Sequence, residues 1–214
     1  MMKENTHRHY KNIVFDLGRV LLPIDFDAPV NAFTKIGLKD FDTMYHQTVQ
    51  TDLFNLLETG NISEAYFRDE MRRISGMPWT DNQIDEAWNT IILEFRPETI
   101  EMLKKLSKAY RLFLLSNTNS IHYRCYNQQI KQRFCRDGLS AFFERMFLSH
   151  QMGARKPEPE IFLSMQKQTG MVPAQTLFID DNAENIKIAQ SLGYHTLHLR
   201  DGMIVEEQPF CADL

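Results

Sequence analysis

Five short apolar runs divide the chain, and each is followed closely by polar residues: "IVF" at 13–15, "RLFLL" at 111–115, "RMFL" at 145–148, "TLFI" at 176–179 and "HTLHL" at 195–199. Runs this short and this apolar are expected as strands buried on both faces. The segments between the last four have helical character. "PEIFLSMQKQTG" ends at Gly170 and "AENIKIAQSLG" at Gly193, each with a glycine placed to close a helix. Strand and helix alternating in this way predict an α/β fold, a doubly wound parallel sheet with helices on both faces.

The first interval breaks the rhythm. Roughly 80 residues separate Leu22 from the second run, far more than one crossover needs. Ser63 is placed to cap a helix carrying Phe67, Met71 and Ile74 and closed by Gly76. Thr80 and Gln83 stand at capping-box spacing before a stripe of Ile84, Trp88, Ile91 and Phe95. Pro97 suits the first turn of a further helix with Ile100, Leu103 and Leu106. The expected division is a core of residues 11–25 and 95–214 with a helical unit, 26–94, inserted.

Composition narrows the function classes. The 214 residues carry a net charge of -4 with no basic block, which argues against a nucleic-acid partner. No apolar run approaches a bilayer span, and "MMKENTHRHY" reads as a short polar tail without the apolar stretch of a secretory signal, so a cytoplasmic protein with no membrane partner is expected. Cys125, Cys135 and Cys211 are odd in number and lack metal or redox spacing, as free thiols would be. The expected state is a monomer or weak homodimer.

Ligands of an open parallel sheet bind beyond the carboxyl ends of its strands. Those ends carry Asp16, then Ser116, Asn117 and Thr118, then Lys156, then Asp180 and Asp181. Each has an ordinary reading: Asp16 as a turn residue, Ser116 and Asn117 as a helix N-cap, Lys156 as a solvated cation, "DDNAEN" as an acidic helix start. Gathered at one edge they mean something else, because three carboxylates a few ångströms apart repel strongly and a divalent cation resolves the repulsion. Oxygen ligands without a His or Cys cluster suit Mg²⁺ better than zinc. An aspartate beside Mg²⁺, facing a lysine and a serine hydroxyl, can attack phosphorus and form an aspartyl phosphate that water releases. Arg19 and Arg155 read as surface charge; His122, His150, His195 and His198 read as structural, and Trp79 and Trp88 as core of the inserted helices, with a substrate-facing ring as the alternative.

The order "FDLGRVL", "LLSNTN", "RKPEPEIF", "FIDDNAEN" resembles the four signature motifs of the haloacid dehalogenase-like (HAD) hydrolase superfamily, over nearly the whole chain. Its phrasing is similar to bacterial sugar-phosphate phosphatases of the α-D-glucose-1-phosphatase type. The resemblance implies a Rossmann-like core in which Asp16 is the nucleophile and Ser116, Asn117 and Lys156 bind phosphate, with Lys156 also serving catalysis. It implies Mg²⁺ held by Asp16, Asp180, Asp181 and the carbonyl of Gly18, with Asn185 in support and the helical insertion as a cap over the site.

One position departs from that pattern. Such phosphatases usually place a second aspartate, the general acid and base, two residues after the nucleophile, where this chain has Gly18. A glycine can offer its carbonyl and adopt torsions that side chains resist, but it moves no proton. Asp25, or water held by the cation, is the expected substitute. The activity expected is phosphatase action on a small phosphate ester, most simply a sugar phosphate. The rival readings are a hydrolytic 2-haloacid dehalogenase, which needs no metal, and a non-catalytic sensor of a phosphorylated ligand.

Overall fold

The computed structural model describes residues 10–40 and 52–211, so the expected N-terminal tail except Tyr10, and residues 41–51 of the expected insertion, lie outside the described residues. All five runs form strands: β1 (Asn12–Phe15), β2 (Arg111–Ser116), β3 (Arg145–Leu148), β4 (Thr176–Asp180) and β5 (His195–His198). They make one sheet in the order β3-β2-β1-β4-β5, and every pair is parallel. The chain starts in the middle strand and winds outward to both edges, so β1 has neighbours on both sides and is apolar after Asn12, whose side chain donates to Thr176 Oγ1 of β4 at 3.0 Å. Ile13, Val14 and Phe15 are all 0% exposed.

The period of two along each strand sorts the core into layers. Ile13, Phe15, Leu112, Leu114, Leu177 and Ile179 point to one face, where α5 (Pro97–Leu106) and α6 (Ser120–Arg133) cover them. After β3 comes the short α7 (Ser149–Met152), and Val14, Phe113, Leu115, Phe147 and Phe178 point to the other face, under α8 (Pro159–Thr169) and α9 (Ala183–Ser191). Between β1 and β2 lie α1 (Ala28–Lys35), α2 (Leu53–Glu58), α3 (Glu64–Ser75) and α4 (Asp81–Asn89). Both caps expected there are present: Ser63 Oγ accepts from Tyr66 N, and Thr80 and Gln83 form a reciprocal capping box. Phe33, Leu57, Phe67, Met71, Trp79 and Ile84 make a third apolar cluster for these helices, and Ile121 of α6 is embedded in it. Among the described residues no helix is long and apolar enough to cross a membrane, and all three cysteines are free.

The chain leaves the sheet and returns to it through paired backbone. Ile24 and Ile92 form an antiparallel bridge, Asp25 N donates to Ile91 O at 2.9 Å, and Leu93 N donates to Pro23 O at 3.1 Å. A second attachment runs through α6. Ser120 Oγ donates to Glu64 Oε1 at 2.5 Å, and Arg124 Nη2 donates to Glu64 Oε2 at 2.8 Å.

His122 lies at this junction, stacked on Trp88 with ring centroids 5.1 Å apart. Asn119 Oδ1 accepts from His122 N, so its amide NH₂ faces His122 Nδ1 at 3.1 Å; Nδ1 is therefore the acceptor, and Nε2–H donates to Trp88 O at 3.3 Å. Burial pushes this imidazole down from 6.5 to about 4, since no site is left for a second proton. The unfolded ring takes a proton more readily than the folded one. Its stabilisation is full above about 6.5 and is lost as pH falls through 4, about 2 kcal/mol once partial solvent contact is allowed for. Chemical denaturation at pH 7 and pH 4 is expected to show that extra loss in the wild type relative to His122→Gln, which keeps a donor and an acceptor without titrating.

Candidate active site

The sheet delivers the expected residues to one edge. Asp16 follows β1, and its N–H donates to Ile179 O at 2.9 Å, locking the tip of β1 against β4. Asp180 ends β4 and is fully buried. Lys156 comes from the loop before α8, its side chain 1% exposed, and donates from Nζ to Asp16 Oδ1 at 2.5 Å and to Asp180 Oδ2 at 2.6 Å. Asp181 completes the group: ligand atoms of Asp16, Asp180 and Asp181 lie within 4.8 Å of one another.

The other expected residues hold this cluster in different ways. Asn185 Nδ2 donates to both oxygens of Asp180, at 3.0 and 3.1 Å, and Asn182 N donates to Asp180 Oδ1 at 2.8 Å, so α9 begins by orienting that carboxylate. Asn117 binds the backbone of Lys156 at both ends: Nδ2 donates to Lys156 O and Oδ1 accepts from Lys156 N, each at 2.8 Å. Ser116 is 2% exposed at the tip of β2. The N-cap of α6 is Asn119, neither Ser116 nor Asn117.

Two readings of the sequence need correction. Gly18 does not use the freedom of glycine, since its φ is not positive; that backbone conformation falls on Arg19, φ 60°. A Cβ at Gly18 would meet Ile24 Cδ1 at 3.4 Å, an ordinary contact, so neither torsion nor space requires glycine there. Asp25 is not one of the carboxylates grouped within 4.8 Å at the strand ends. It is exposed, and its Oδ1 accepts from Asp27 N at 2.9 Å and Ala28 N at 3.3 Å, fastening the start of α1.

Two residues read as surface charge are more than that. Arg19 Nη1 lies 3.4 Å from Asp181 Oδ2, and Nη2 pairs with Asp201. Arg155 reaches across to α2, where Nη1 donates to Asn55 Oδ1 and Nη2 lies 3.0 Å from Glu58 Oε2. Only their positions beside Gly18 and Lys156 signalled either role, and a flanking arginine alone is a weak signal.

Electrostatics explain why this group needs a cation. Burial pushes the Asp16 carboxyl up to about 7, and Asp180 and Asp181 add to the rise while Lys156 opposes it. Burial, and then Asp180, also raise Asp181. For Lys156 burial favours the neutral amine, but Asp16 and Asp180 outweigh it and hold the ammonium above its ordinary value. One ammonium therefore serves the two buried carboxylates Asp16 and Asp180, while the half-buried Asp181 has the more distant Arg19. An all-oxygen donor set, tightly grouped and short of positive charge, fits a hard divalent cation such as Mg²⁺.

Comparison with known proteins agrees with this geometry. The family pattern for haloacid dehalogenase-like hydrolases matches residues 3–193. The D-ribitol-5-phosphate phosphatase of Bacteroides thetaiotaomicron is 37% identical over 196 residues, 90% of this chain and 93% of the relative. The sesquiterpene phosphatase astK of Aspergillus oryzae is 25% identical over 91% of this chain and 92% of its own. A HAD family enzyme of B. thetaiotaomicron, crystallised with magnesium and inorganic phosphate, superposes with a TM-score of 0.84 at 36% identity, covering 90% of this chain and 96% of that one. The fold is shared more distantly with the L-2-haloacid dehalogenase of Xanthobacter autotrophicus, TM-score 0.59 at 16% identity over 89% of this chain and 77% of that one. The chain therefore belongs to the haloacid dehalogenase-like hydrolase family.

Proposed function

We propose that this hydrolase is a Mg²⁺-dependent phosphatase acting on a small phosphorylated metabolite, a sugar or polyol phosphate, through an aspartyl phosphate on Asp16. The observation that carries the proposal is the Lys156 ammonium, buried and bridging Asp16 and Asp180 with Asp181 beside them. The likeness to phosphatases of a sugar-alcohol phosphate and of a sesquiterpene supports the reaction type.

In this reading the Asp16 carboxylate adds to phosphorus as the ester oxygen leaves, and water then splits the acyl phosphate to give inorganic phosphate and free Asp16. Lys156 and the Ser116 hydroxyl grip the transferred group, and Asn117 fixes the backbone from which Lys156 reaches. Asp16, Asp180, Asp181 and the Gly18 carbonyl would hold Mg²⁺, which when bound neutralises charge on the carboxylates and the phosphoryl oxygens. Asn185 keeps Asp180 aimed. The helices of residues 26–94 act as the cap that excludes bulk water.

A panel of phosphate monoesters assayed in Mg²⁺, after chelation, and after Mg²⁺ is restored tests the assignment. Turnover is expected to disappear with chelator and to return with the ion. Halide release from a 2-haloalkanoate in the presence of chelator would mark a dehalogenase instead, and binding of phosphate esters with no turnover would mark a sensor.

A further inference from the structure

The carboxylate cluster has two cationic partners of different kinds. Lys156 is enclosed between Asp16 and Asp180, its side chain 1% exposed. Asp181 is met instead by Arg19, whose Nη1 lies 3.4 Å from Oδ2 and whose side chain is 44% exposed. This second contact therefore sits where solvent and ions reach it.

Both ends of the contact are held by backbone. Arg19 takes a φ of 60°, which residues other than glycine seldom adopt. The turn around it is closed tightly: Arg19 N donates to Leu22 O at 2.8 Å, and Leu21 N and Leu22 N both donate to Leu17 O at 2.9 Å. A guanidinium is thus fixed three residues after Asp16. The strand next to β4 supplies a second acid for it. Leu199 N donates to Asp180 O at 3.0 Å, His198 Nε2–H donates to Asp181 O at 2.9 Å, and Met203 N closes the following turn on Arg200 O at 3.0 Å. Asp201, in that turn and 88% exposed, pairs with Nη2 of Arg19. The guanidinium is divided between an acid inside the cluster and an acid outside it.

An ion that draws on Asp181 has to share this carboxylate with Arg19. Two cations on one carboxylate repel each other, so the more Arg19 leans on Asp181, the weaker the hold on the ion. Asp201 acts the opposite way by claiming part of the guanidinium. We propose that Arg19, shared between Asp181 and Asp201, sets the affinity of the carboxylate cluster for Mg²⁺ and lowers it. The assignment rests on the reading of the cluster as a Mg²⁺ site and deepens it. Arg19 acts through Asp181 and is a positioning residue, distinct from the groups that meet phosphorus.

Calorimetric titration of Mg²⁺ into chelator-stripped protein tests this without turnover. Arg19→Gln is expected to bind Mg²⁺ about tenfold more tightly than the wild type, and Arg19→Lys, which keeps the charge, to stay within about threefold of it. Because the guanidinium is partly exposed, the gap between the wild type and Arg19→Gln should narrow as ionic strength rises from about 0.02 M to about 0.5 M. Asp201→Asn should weaken binding about threefold alone and have little effect in an Arg19→Gln background, as expected when one residue acts through the other. Thermal unfolding without Mg²⁺ should differ by only a few degrees among these proteins, since exposed ion pairs add little stability. Equal affinities in the wild type and Arg19→Gln would overturn the proposal. Weaker binding by Arg19→Gln would overturn it too, because Arg19 would then support Asp181 as a ligand instead of competing for it. An Asp201→Asn effect of the same size in both backgrounds would overturn the sharing. A wild type that binds no Mg²⁺ would sink the magnesium reading itself, whereas Mg²⁺ binding untouched by any of these substitutions would leave that reading standing and remove only Arg19.

Discussion

Asp16→Asn is expected to lower kcat by roughly four orders of magnitude or more, since the amide cannot attack phosphorus and the remaining groups only bind and polarise. The fold should not suffer equally. The variant removes one of three crowded carboxylates, while Lys156 keeps Asp180 at 2.6 Å as its counter-charge. Thermal unfolding without metal should therefore stay within a few degrees of the wild type. The stabilisation gained on adding Mg²⁺ should shrink, because the ion loses an anionic ligand. Retained turnover near the wild-type rate would remove Asp16 from the chemistry. A collapse in thermal stability would mean that its role is mainly structural.

Lys156→Met is expected to disturb both function and fold. The ammonium is enclosed and offsets the charge of Asp16 and Asp180 directly, so its loss strands carboxylates where water cannot reach them. Breaking such a buried pair costs about 3–5 kcal/mol, which for a chain of this size lowers Tm by about 10 °C. Turnover should fall below detection. The diagnostic feature is recovery: Mg²⁺ supplies the missing positive charge, so the ion should raise the Tm of Lys156→Met by more than it raises that of the wild type. Differential scanning fluorimetry with and without the ion reads this directly, and an equal response in the two proteins would contradict the charge argument.

The sheet was legible because its strands are short, apolar and separated by helices with clear ends; the β1 run and the caps at Ser63 and Thr80 form as the sequence implies. The clustering of Asp16, Lys156, Asp180 and Asp181 follows from topology, since β1 and β4 are adjacent and parallel and their carboxyl ends must meet. Other features were hidden for a physical reason. The left-handed backbone falls on Arg19, a residue type that seldom signals it. Asp25 looked available for proton transfer, yet two backbone N–H groups just downstream, those of Asp27 and Ala28, already use its Oδ1. The Arg155 and Glu58 contact joins segments almost a hundred residues apart, and only coordinates reveal which of many surface charges are brought together in that way.

The bridge between Ile24 and Ile92 bears on how such a chain can be remade. Because the outgoing and returning backbones are already hydrogen-bonded neighbours, a short turn could join the two flanks without stretching the sheet. Segments of other sequence and length could then be grafted between these two flanks while the five-stranded sheet stays unaltered.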